Sequence, residues 1–460
     1  MLSAFRSCYR LVRPHADLHI AGALSALSYG YLSLKSSDYG AASVTDLLFV
    51  SAIGFALCIF CWQRYKPSLS QRSFPVVAML LWATVFRLIG TQSFPVLEDD
   101  IFRFLWDGYR TVVSGSPYGA APADFFAEAL ADERFEAILS SINYPDIKTI
   151  YWPMTQWVFA LSYLIAPAET WPLQVLLALF DLGVVVLLLR LAAARYVLLY
   201  AWSPLIIKEI AFTAHPDVIG VFFLLLAIVL MRRHYLMMAI CIGLALAAKP
   251  FAIIVAPFIL SLNWRAWLAA IVTFIMVGLP FAGDVLSSVE GLQAMNQQWL
   301  FNAPVYLLAA IVGAEFSVVS FTFINTACLI VFATLWFIYF LSVTKPWQFG
   351  AFSNPCSVHR VPRADYLFAL FFLALPVLNP WYLVWLLPFA VIYPTLWTWV
   401  ASACLLLSYL TGLNTGIGGL GAYDIPLPVM LIEYSLIVLA ALVDWRNNSM
   451  RREMLSEGQA

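Results

Sequence analysis

The sequence predicts an all-α protein that crosses a membrane many times, as its composition, hydropathy and low charge all indicate. Of the 460 residues, 63% are hydrophobic and only 11% are charged, and the mean hydropathy is +0.86. Soluble domains carry about 25% charged and about 45–50% apolar residues. A chain of this composition could not cover its apolar surface in water, so we expect membrane lipids as its solvent. The net charge of -1 gives no basic surplus that would favour a nucleic-acid partner.

Apolar runs recur along the whole chain, and a straight membrane-spanning helix needs about 20 apolar residues. We therefore expect roughly 11–14 transmembrane helices in a single integral membrane domain, residues 1–460. Residues 149–167 and 300–313 are predicted to be half-spans or surface helices. The apolar runs lie near residues 17–35, 44–63, 74–93, 172–190, 196–212, 217–231, 235–248, 251–263, 265–281, 317–343, 364–379, 381–395, 396–413 and 427–445.

The basic residues of the short loops predict which side each loop occupies, because Lys and Arg are retained on the cytoplasmic side. They place the N-terminus inside, and we interpret it as a retained end because it lacks a long apolar region and a cleavage motif. The run 74–93 then carries residues 94–148 to the extracytoplasmic side, and a tail at 446–460 returns to the cytoplasm. The basic residues of the first two segments are Arg6, Arg10, Arg13, Arg64, Lys66 and Arg72.

Residues 94–148 form the long hydrophilic insertion between apolar runs. An amphipathic helix is predicted to begin at Asp100 and to lie along the membrane surface, with Asp99 placed to cap it. A second amphipathic helix is predicted over residues 124–139. The apolar positions that give the first helix its spacing are Ile101, Phe104, Leu105 and Val112.

Three consecutive carboxylates, Glu98, Asp99 and Asp100, begin this insertion. Like charges this close raise one another's pKa, and so does partial burial, which is how a carboxylate becomes a competent general base. The alternative is a solvated helix N-terminus with a capping aspartate. No further acidic cluster or cysteine spacing suggests a metal site, so we expect neither a metal nor another cofactor.

The predicted topology brings most of the polar residues of the apolar runs to one face, the extracytoplasmic one. Such groups would be costly at the centre of a bilayer, and their convergence predicts one site. Each of them alone could instead be an interfacial anchor or a loop residue. The residues are Asp99, Asp100, Tyr151, His215, Asp217, Lys249, Asn302 and the segment 379–382.

Several segments, in order along residues 74–395, resemble bacterial polyprenyl-phosphate-sugar glycosyltransferases of the GT-C superfamily. The resemblance is closest to the actinobacterial-type mannosyltransferases that use polyprenol-phosphomannose. The chain differs from that family at Met154, where a second proline is common, and at Pro216, where asparagine is common. The matching segments are DDIFRFLWDG (99–108), GSPY (115–118), YPDIKTIYWP (144–153), WSPLIIKE (202–209), AHPD (214–217), AKP (248–250) and NPWY (379–382).

The resemblance implies a membrane enzyme that moves a hexose, most often mannose, from a polyprenyl-phosphate sugar to an acceptor hydroxyl. The acceptor would be an envelope glycolipid or glycan at the extracytoplasmic face of the bacterial cytoplasmic membrane, and the anomeric carbon would be inverted. Asp100, or its neighbour Asp99, would be the base. The other residues that the resemblance implies in donor-phosphate or substrate binding are Arg103, Tyr151, His215, Asp217, Lys249, Asn379, Trp381 and Tyr382.

These roles have structural alternatives. Arg103 could form a salt bridge, Lys249 could be a kink residue with an outward amine, and His215 and Asp217 could cap a turn. At the level of function, a transporter or flippase of lipid-linked sugars is the main alternative, although the halves of the chain show no convincing repeat. An O-antigen ligase or polymerase would carry its large loop late in the chain, whereas this loop is early and acidic.

Overall fold

The computed structural model describes residues 15–65, 74–128, 130, 132–261, 263–311, 318–344 and 361–457. Within these ranges every regular element is a helix, and one isolated β-bridge joins Phe301 to Val377. The predicted all-α polytopic class is therefore confirmed. Several basic residues that predict the sidedness lie outside the described residues: Arg6, Arg10, Arg13, Lys66 and Arg72.

Three apolar helices precede the acidic insertion, as the sequence predicts. The second of them begins at a reciprocal cap: Ser43 Oγ accepts from the backbone N–H of Asp46, and the Asp46 carboxylate accepts from the backbone N–H of Ser43. The third ends at Gly90, five residues before Pro95. These helices are α1 (Ala16–Lys35), α2 (Val44–Arg64) and α3 (Val76–Gly90).

The insertion begins with the predicted amphipathic helix, α4 (Asp100–Val113). Asp99 occupies the N-cap position, but its side chain makes no capping hydrogen bond. The single helix predicted over residues 124–139 is wrong: a 3-10 turn at Pro122–Phe125 and the short helix α5 (Arg134–Ser140) take its place. Asp124 accepts from the backbone N–H of Ala121 at 2.8 Å and so caps the start of this 3-10 turn, which begins two residues before the predicted helix.

The remaining helices form the rest of the membrane domain, and the last one continues past the predicted start of the cytoplasmic tail at residue 446. They are α6 (Pro153–Ile165), α7 (Trp171–Leu191), α8 (Ala194–Ala201), α9 (Pro204–Ile207), α10 (Asp217–Leu230), α11 (Tyr235–Ala248), α12 (Ala256–Leu260), α13 (Trp264–Gly278), α14 (Ser287–Gln298), α15 (Pro304–Ile311), α16 (Val318–Thr344), α17 (Ala364–Ala374), α18 (Leu383–Ile392), α19 (Leu396–Cys404), α20 (Gly412–Thr415) and α21 (Leu427–Glu457). A π-helical turn lies at Lys208–Phe212, and 3-10 turns lie at Pro250–Ile254, Leu279–Phe281, Pro380–Tyr382 and Leu405–Tyr409.

The helices that are long enough to span a membrane are fewer than the sequence predicts. Five of the described helices are long and apolar enough, and a sixth span results if the pair Pro204–Phe212 and Asp217–Leu230, bent by 117°, counts as one. The predicted number would require the five shorter apolar helices to cross as well. Prolines and 3-10 turns interrupt several of those runs and make them short.

Helix α4 packs directly on α6, so its apolar face is covered by protein rather than by lipid alone. A Cβ atom added at Gly108 would lie 2.5 Å from the backbone oxygen of Phe159, which means that only glycine allows this approach. The ring of Phe104 stacks on that of Phe159 with centroids 4.9 Å apart. This contact fixes the position of Asp100 at the start of α4.

We expect Gly108→Ala to destabilise the protein by about 1–3 kcal/mol, because the added methyl group meets rigid backbone. The measurement is thermal unfolding of the purified protein in detergent. Gly30→Ala is the matched control, because its added Cβ meets nothing within 4 Å. Alanine favours a helix more than glycine does, so the stability of this variant should be unchanged or higher by up to about 1 kcal/mol. Equal melting temperatures for Gly108→Ala and the wild type would contradict the close packing.

Candidate functional site

The three consecutive carboxylates point to three different partners. Glu98 accepts a hydrogen bond from the Tyr409 hydroxyl at 2.8 Å, the Asp99 side chain is hydrogen-bonded to Asn143, and that of Asp100 to Tyr151. The acids therefore have separate surroundings: Glu98 lies 3.9 Å from the Lys208 ammonium, whereas Arg103 and Lys249 act on Asp100.

Burial is the main cause of the raised pKa values of Asp99 and Asp100. Burial and, to a smaller extent, the neighbouring Asp99 carboxylate raise the pKa of Asp100 to about 7, against the opposing effects of Arg103, Lys249 and the Tyr151 hydroxyl. Burial also raises the pKa of Asp99. Because folded Asp100 holds a proton that the unfolded chain releases at lower pH, its contribution to stability decreases as pH rises from about 4 to about 7.

A cation lies close to Asp100. Lys249 follows the last residue of α11, since the next residue, Pro250, disfavours a helical conformation before it. Its ammonium is 2.6 Å from Asp217 Oδ1, and the Trp385 indole N–H donates to the same oxygen at 2.7 Å. The Lys249 side chain remains 26% exposed, whereas that of Asp217 is 2% exposed. The ammonium is thus held on one side and accessible on the other.

His215 lies at the bend between α9 and α10. The chain turns there through the π-helical turn and Ala214, which has a left-handed φ of 60°, a strained conformation for a residue with a side chain. The imidazole stacks on Trp381, with ring centroids 3.9 Å apart and planes 17° apart. Its Nε2 is 3.5 Å from Glu209 Oε2 and has no hydrogen-bond partner among the described residues.

A buried ionic network lies beneath this bend. Lys208 and Glu209 form an ion pair, with Nζ and Oε2 3.2 Å apart. The Tyr409 hydroxyl contacts Lys208 and lies 3.1 Å from Glu209 Oε1, and Glu98 lies 3.9 Å from the Lys208 ammonium. The network connects the acidic insertion to the bent helix pair and to the turn that follows α19.

Arg103 does not face open solvent. Its Nε donates to Asp107 Oδ1 at 2.9 Å and one terminal nitrogen donates to the Ile147 carbonyl at 2.8 Å. Asp107 also accepts from Gln156 at 2.9 Å. This is the salt bridge that the sequence offers as the alternative for Arg103, and a contact with a donor phosphate stays a prediction.

The segment 379–382 contributes one wall of the site. The Asn379 side chain is hydrogen-bonded to Tyr382, and the Lys249 ammonium lies 4.7 Å from the centroid of the Tyr382 ring, a cation–π distance. Asn302 does not join this group directly. Its amide instead donates to Glu433 of α21 at 2.8 Å.

The sequence-based set lacks several residues that hydrogen-bond to its members, among them Tyr409, Trp385, Glu433 and Asn143. Tyr409 and Trp385 lie in apolar runs, where an aromatic residue is more often part of the core. The sequence does not distinguish these two residues from the apolar residues around them, and only their tertiary contacts do so. The polar Glu433 inside an apolar run was a usable signal, because an acid in a membrane helix usually has a partner.

No group of three or more His, Cys, Asp or Glu residues in the described ranges could hold a metal ion, and the metal-independence expected from the sequence stays a prediction. Comparison of the chain with family models, with curated proteins and with solved structures found no significant match.

We expect Tyr151→Phe to raise the pKa of Asp100 above about 7, because the lost hydroxyl hydrogen bond stabilises the ionised carboxylate. The measurement is infrared titration of the carboxyl band that disappears in Asp100→Asn. The control is Tyr163→Phe. Tyr163 lies in α6, which begins just after Tyr151, but it has no hydrogen bond to Asp100, so this variant should leave the midpoint unchanged. A midpoint that stays the same or falls in Tyr151→Phe would show that this hydrogen bond has no such role.

Proposed function

We propose that the protein is a membrane glycosyltransferase that moves a hexose from a polyprenyl-phosphate sugar to an acceptor hydroxyl. The observation that carries this proposal is Asp100: a partly buried carboxyl group with a pKa raised to about 7, at the first turn of an amphipathic helix and near a lysine. A carboxyl group with this pKa is suited to accept a proton near neutral pH.

In the proposed reaction, the ionised Asp100 takes the proton of the acceptor hydroxyl. The acceptor oxygen then attacks the anomeric carbon from the side opposite the phosphate, forming the new glycosidic bond and inverting that carbon. The bond from the anomeric carbon to the phosphate oxygen breaks, and polyprenyl phosphate leaves as a monoester anion with the bonding electron pair. No oxidant, reductant or further reactant is needed.

The leaving phosphate needs cations that are already in place, because preorganised charge stabilises developing charge most effectively. Lys249 fits this role best: its ammonium is fixed by Asp217 but remains partly exposed. Arg103 is close enough to influence Asp100, although its guanidinium is bound to Asp107. His215 would contribute a hydrogen bond from its unpartnered Nε2 or, stacked on Trp381, a position for the sugar.

A lipid-linked sugar donor is compatible with a protein that lies in a membrane. The long apolar helices indicate contact with lipid, and a polyprenyl chain would lie in the bilayer with its phosphate at headgroup level. Among hexoses we propose mannose, and an envelope glycolipid or glycan as acceptor, on the resemblance to GT-C enzymes. The reaction would take place on the extracytoplasmic side of a bacterial cytoplasmic membrane.

One observation favours the alternative of a transporter or flippase. The bend of 117° between the two halves of a span places broken helix ends next to His215, and discontinuous helices form substrate sites in many transporters. A flippase would move the lipid-linked sugar across proteoliposomes without forming a new glycosidic bond, which separates the two functions in a single assay.

We expect Asp100→Asn to lower sugar transfer by about 10²–10⁴-fold, the usual contribution of a general base, and Asp99→Asn to have a smaller effect. The measurement is transfer of labelled hexose from a polyprenyl-phosphate donor in membranes. Asp146→Asn is the matched control, because this exposed aspartate lies in the same insertion. Wild-type rates in both single variants and in the double variant would refute the assignment of the base.

The pH dependence offers an independent test. Because Asp100 must be ionised to accept a proton, kcat/KM should rise tenfold per pH unit below about 7 and level off above it. Initial rates between pH 5.5 and 9 measure this profile. A rate that falls as pH rises through 7 would indicate that the protonated form of the group is required, contrary to its proposed role.

A further inference from the structure

Three aromatic rings from distant parts of the chain meet beside Asp99. The Trp299 ring lies 5.9 Å from the Tyr144 ring and 6.2 Å from the Tyr423 ring, and the two tyrosine rings are 6.1 Å apart, measured between centroids. Tyr144 is 36% exposed, and the other two are partly exposed. We call these three residues the aromatic platform.

Backbone hydrogen bonds of neighbouring residues hold the segments that carry Trp299 and Tyr423. Trp299 precedes Phe301, whose N–H and carbonyl are both hydrogen-bonded to residues 376–378. The loop that carries Tyr423 is fixed on α20, since the Leu413 N–H donates to the Ala422 carbonyl at 2.8 Å. The platform is therefore a preformed surface, and ordering it on binding would cost little conformational entropy.

Two features of the platform are unexplained by packing. Tyr144 has a left-handed φ of 51°, which is rare for a bulky residue and is found preferentially at binding and catalytic sites. The indole N–H of Trp299 is buried and has no acceptor among the described residues. An unpaired buried donor is costly, and a ligand oxygen would satisfy it.

A hydrogen bond joins the platform to the acids. Asn143 donates to the Tyr423 hydroxyl at 2.6 Å and is also hydrogen-bonded to the Asp99 side chain. The cation Lys249 instead acts on Asp100. The rings of the aromatic platform therefore lie next to Asp99, and the Lys249 ammonium acts on Asp100.

We propose that the aromatic platform binds a pyranose ring of the acceptor glycan. A pyranose has an apolar face of C–H groups that packs on aromatic rings and a rim of hydroxyls that can accept from Trp299 and hydrogen-bond to Asn143. The inference rests on the proposed function for the identity of the ligand as acceptor. The donor would bind on the opposite side, where Lys249 meets its phosphate.

The test uses the purified full-length chain in detergent and a panel of soluble probes: methyl α-glycosides and α-linked disaccharides of mannose, glucose and arabinose. Binding is measured by saturation-transfer NMR without any donor present. We expect at least one probe to bind the wild type and to bind Trp299→Ala about tenfold more weakly. Trp299→Phe, which keeps a ring face but lacks the N–H donor, should lose less.

The matched control is Trp171→Ala, a tryptophan that is 44% exposed and not part of the platform, and it should bind the probes as the wild type does. Similar binding by Trp299→Ala and the wild type, or no binding of any probe to the wild type, would overturn the proposal. An equal loss of probe binding in Trp299→Ala and Trp171→Ala would also overturn the proposal. It would indicate that both tryptophans anchor the protein in the membrane interface and that removing either one perturbs the whole protein.

This result is separable from the test of the base. The probe assay contains no donor and reports on Trp299, whereas the transfer assay reports on Asp100. If Asp100→Asn keeps full transfer activity while Trp299→Ala loses probe binding, the proposed base is wrong and the sugar site stands. If Asp100→Asn loses transfer activity while Trp299→Ala keeps probe binding, the assignment of the base stands and the aromatic platform is not a sugar site.

Discussion

The close contact between α4 and α6 at Gly108 is the constraint on which the rest of the site depends. It brings the amphipathic helix of the insertion against the membrane helices without an intervening side chain. Asp100, at the first turn of α4, is thereby placed beside Tyr151, which precedes α6. The partial burial that raises the pKa of this aspartate follows from the same contact.

A second constraint comes from the prolines and bends that interrupt the apolar runs. A polar residue of the site stands at each break: His215 at the bend before α10, Lys249 before a 3-10 turn, and Asn379 before another. Uninterrupted helices would have buried these residues among lipid tails, where an unpaired charge is costly. The short, broken helices are thus connected with the formation of a site.

The sequence alone predicts the class of the fold and much of the candidate site. Asp100 begins α4 as the helical spacing indicates, because periodicity and a local acid at a helix start are short-range signals. The three acids could not be told apart, since their different partners Tyr409, Asn143 and Tyr151 are set by tertiary contacts. The helix predicted at residues 124–139 is wrong because apolar spacing does not show where a helix begins: Asp124 caps an earlier 3-10 turn, and a separate helix begins at Arg134.

The most direct test of the account is a structure of the protein bound to a polyprenyl-phosphonate sugar, in which a carbon atom replaces the bridging oxygen so that the bond cannot be cleaved. The account predicts that the phosphonate lies within hydrogen-bond distance of the Lys249 ammonium and that Asp100 faces the anomeric carbon from the other side, with room for a hydroxyl between them. A phosphonate bound away from Lys249, with the sugar out of reach of Asp100, would contradict it.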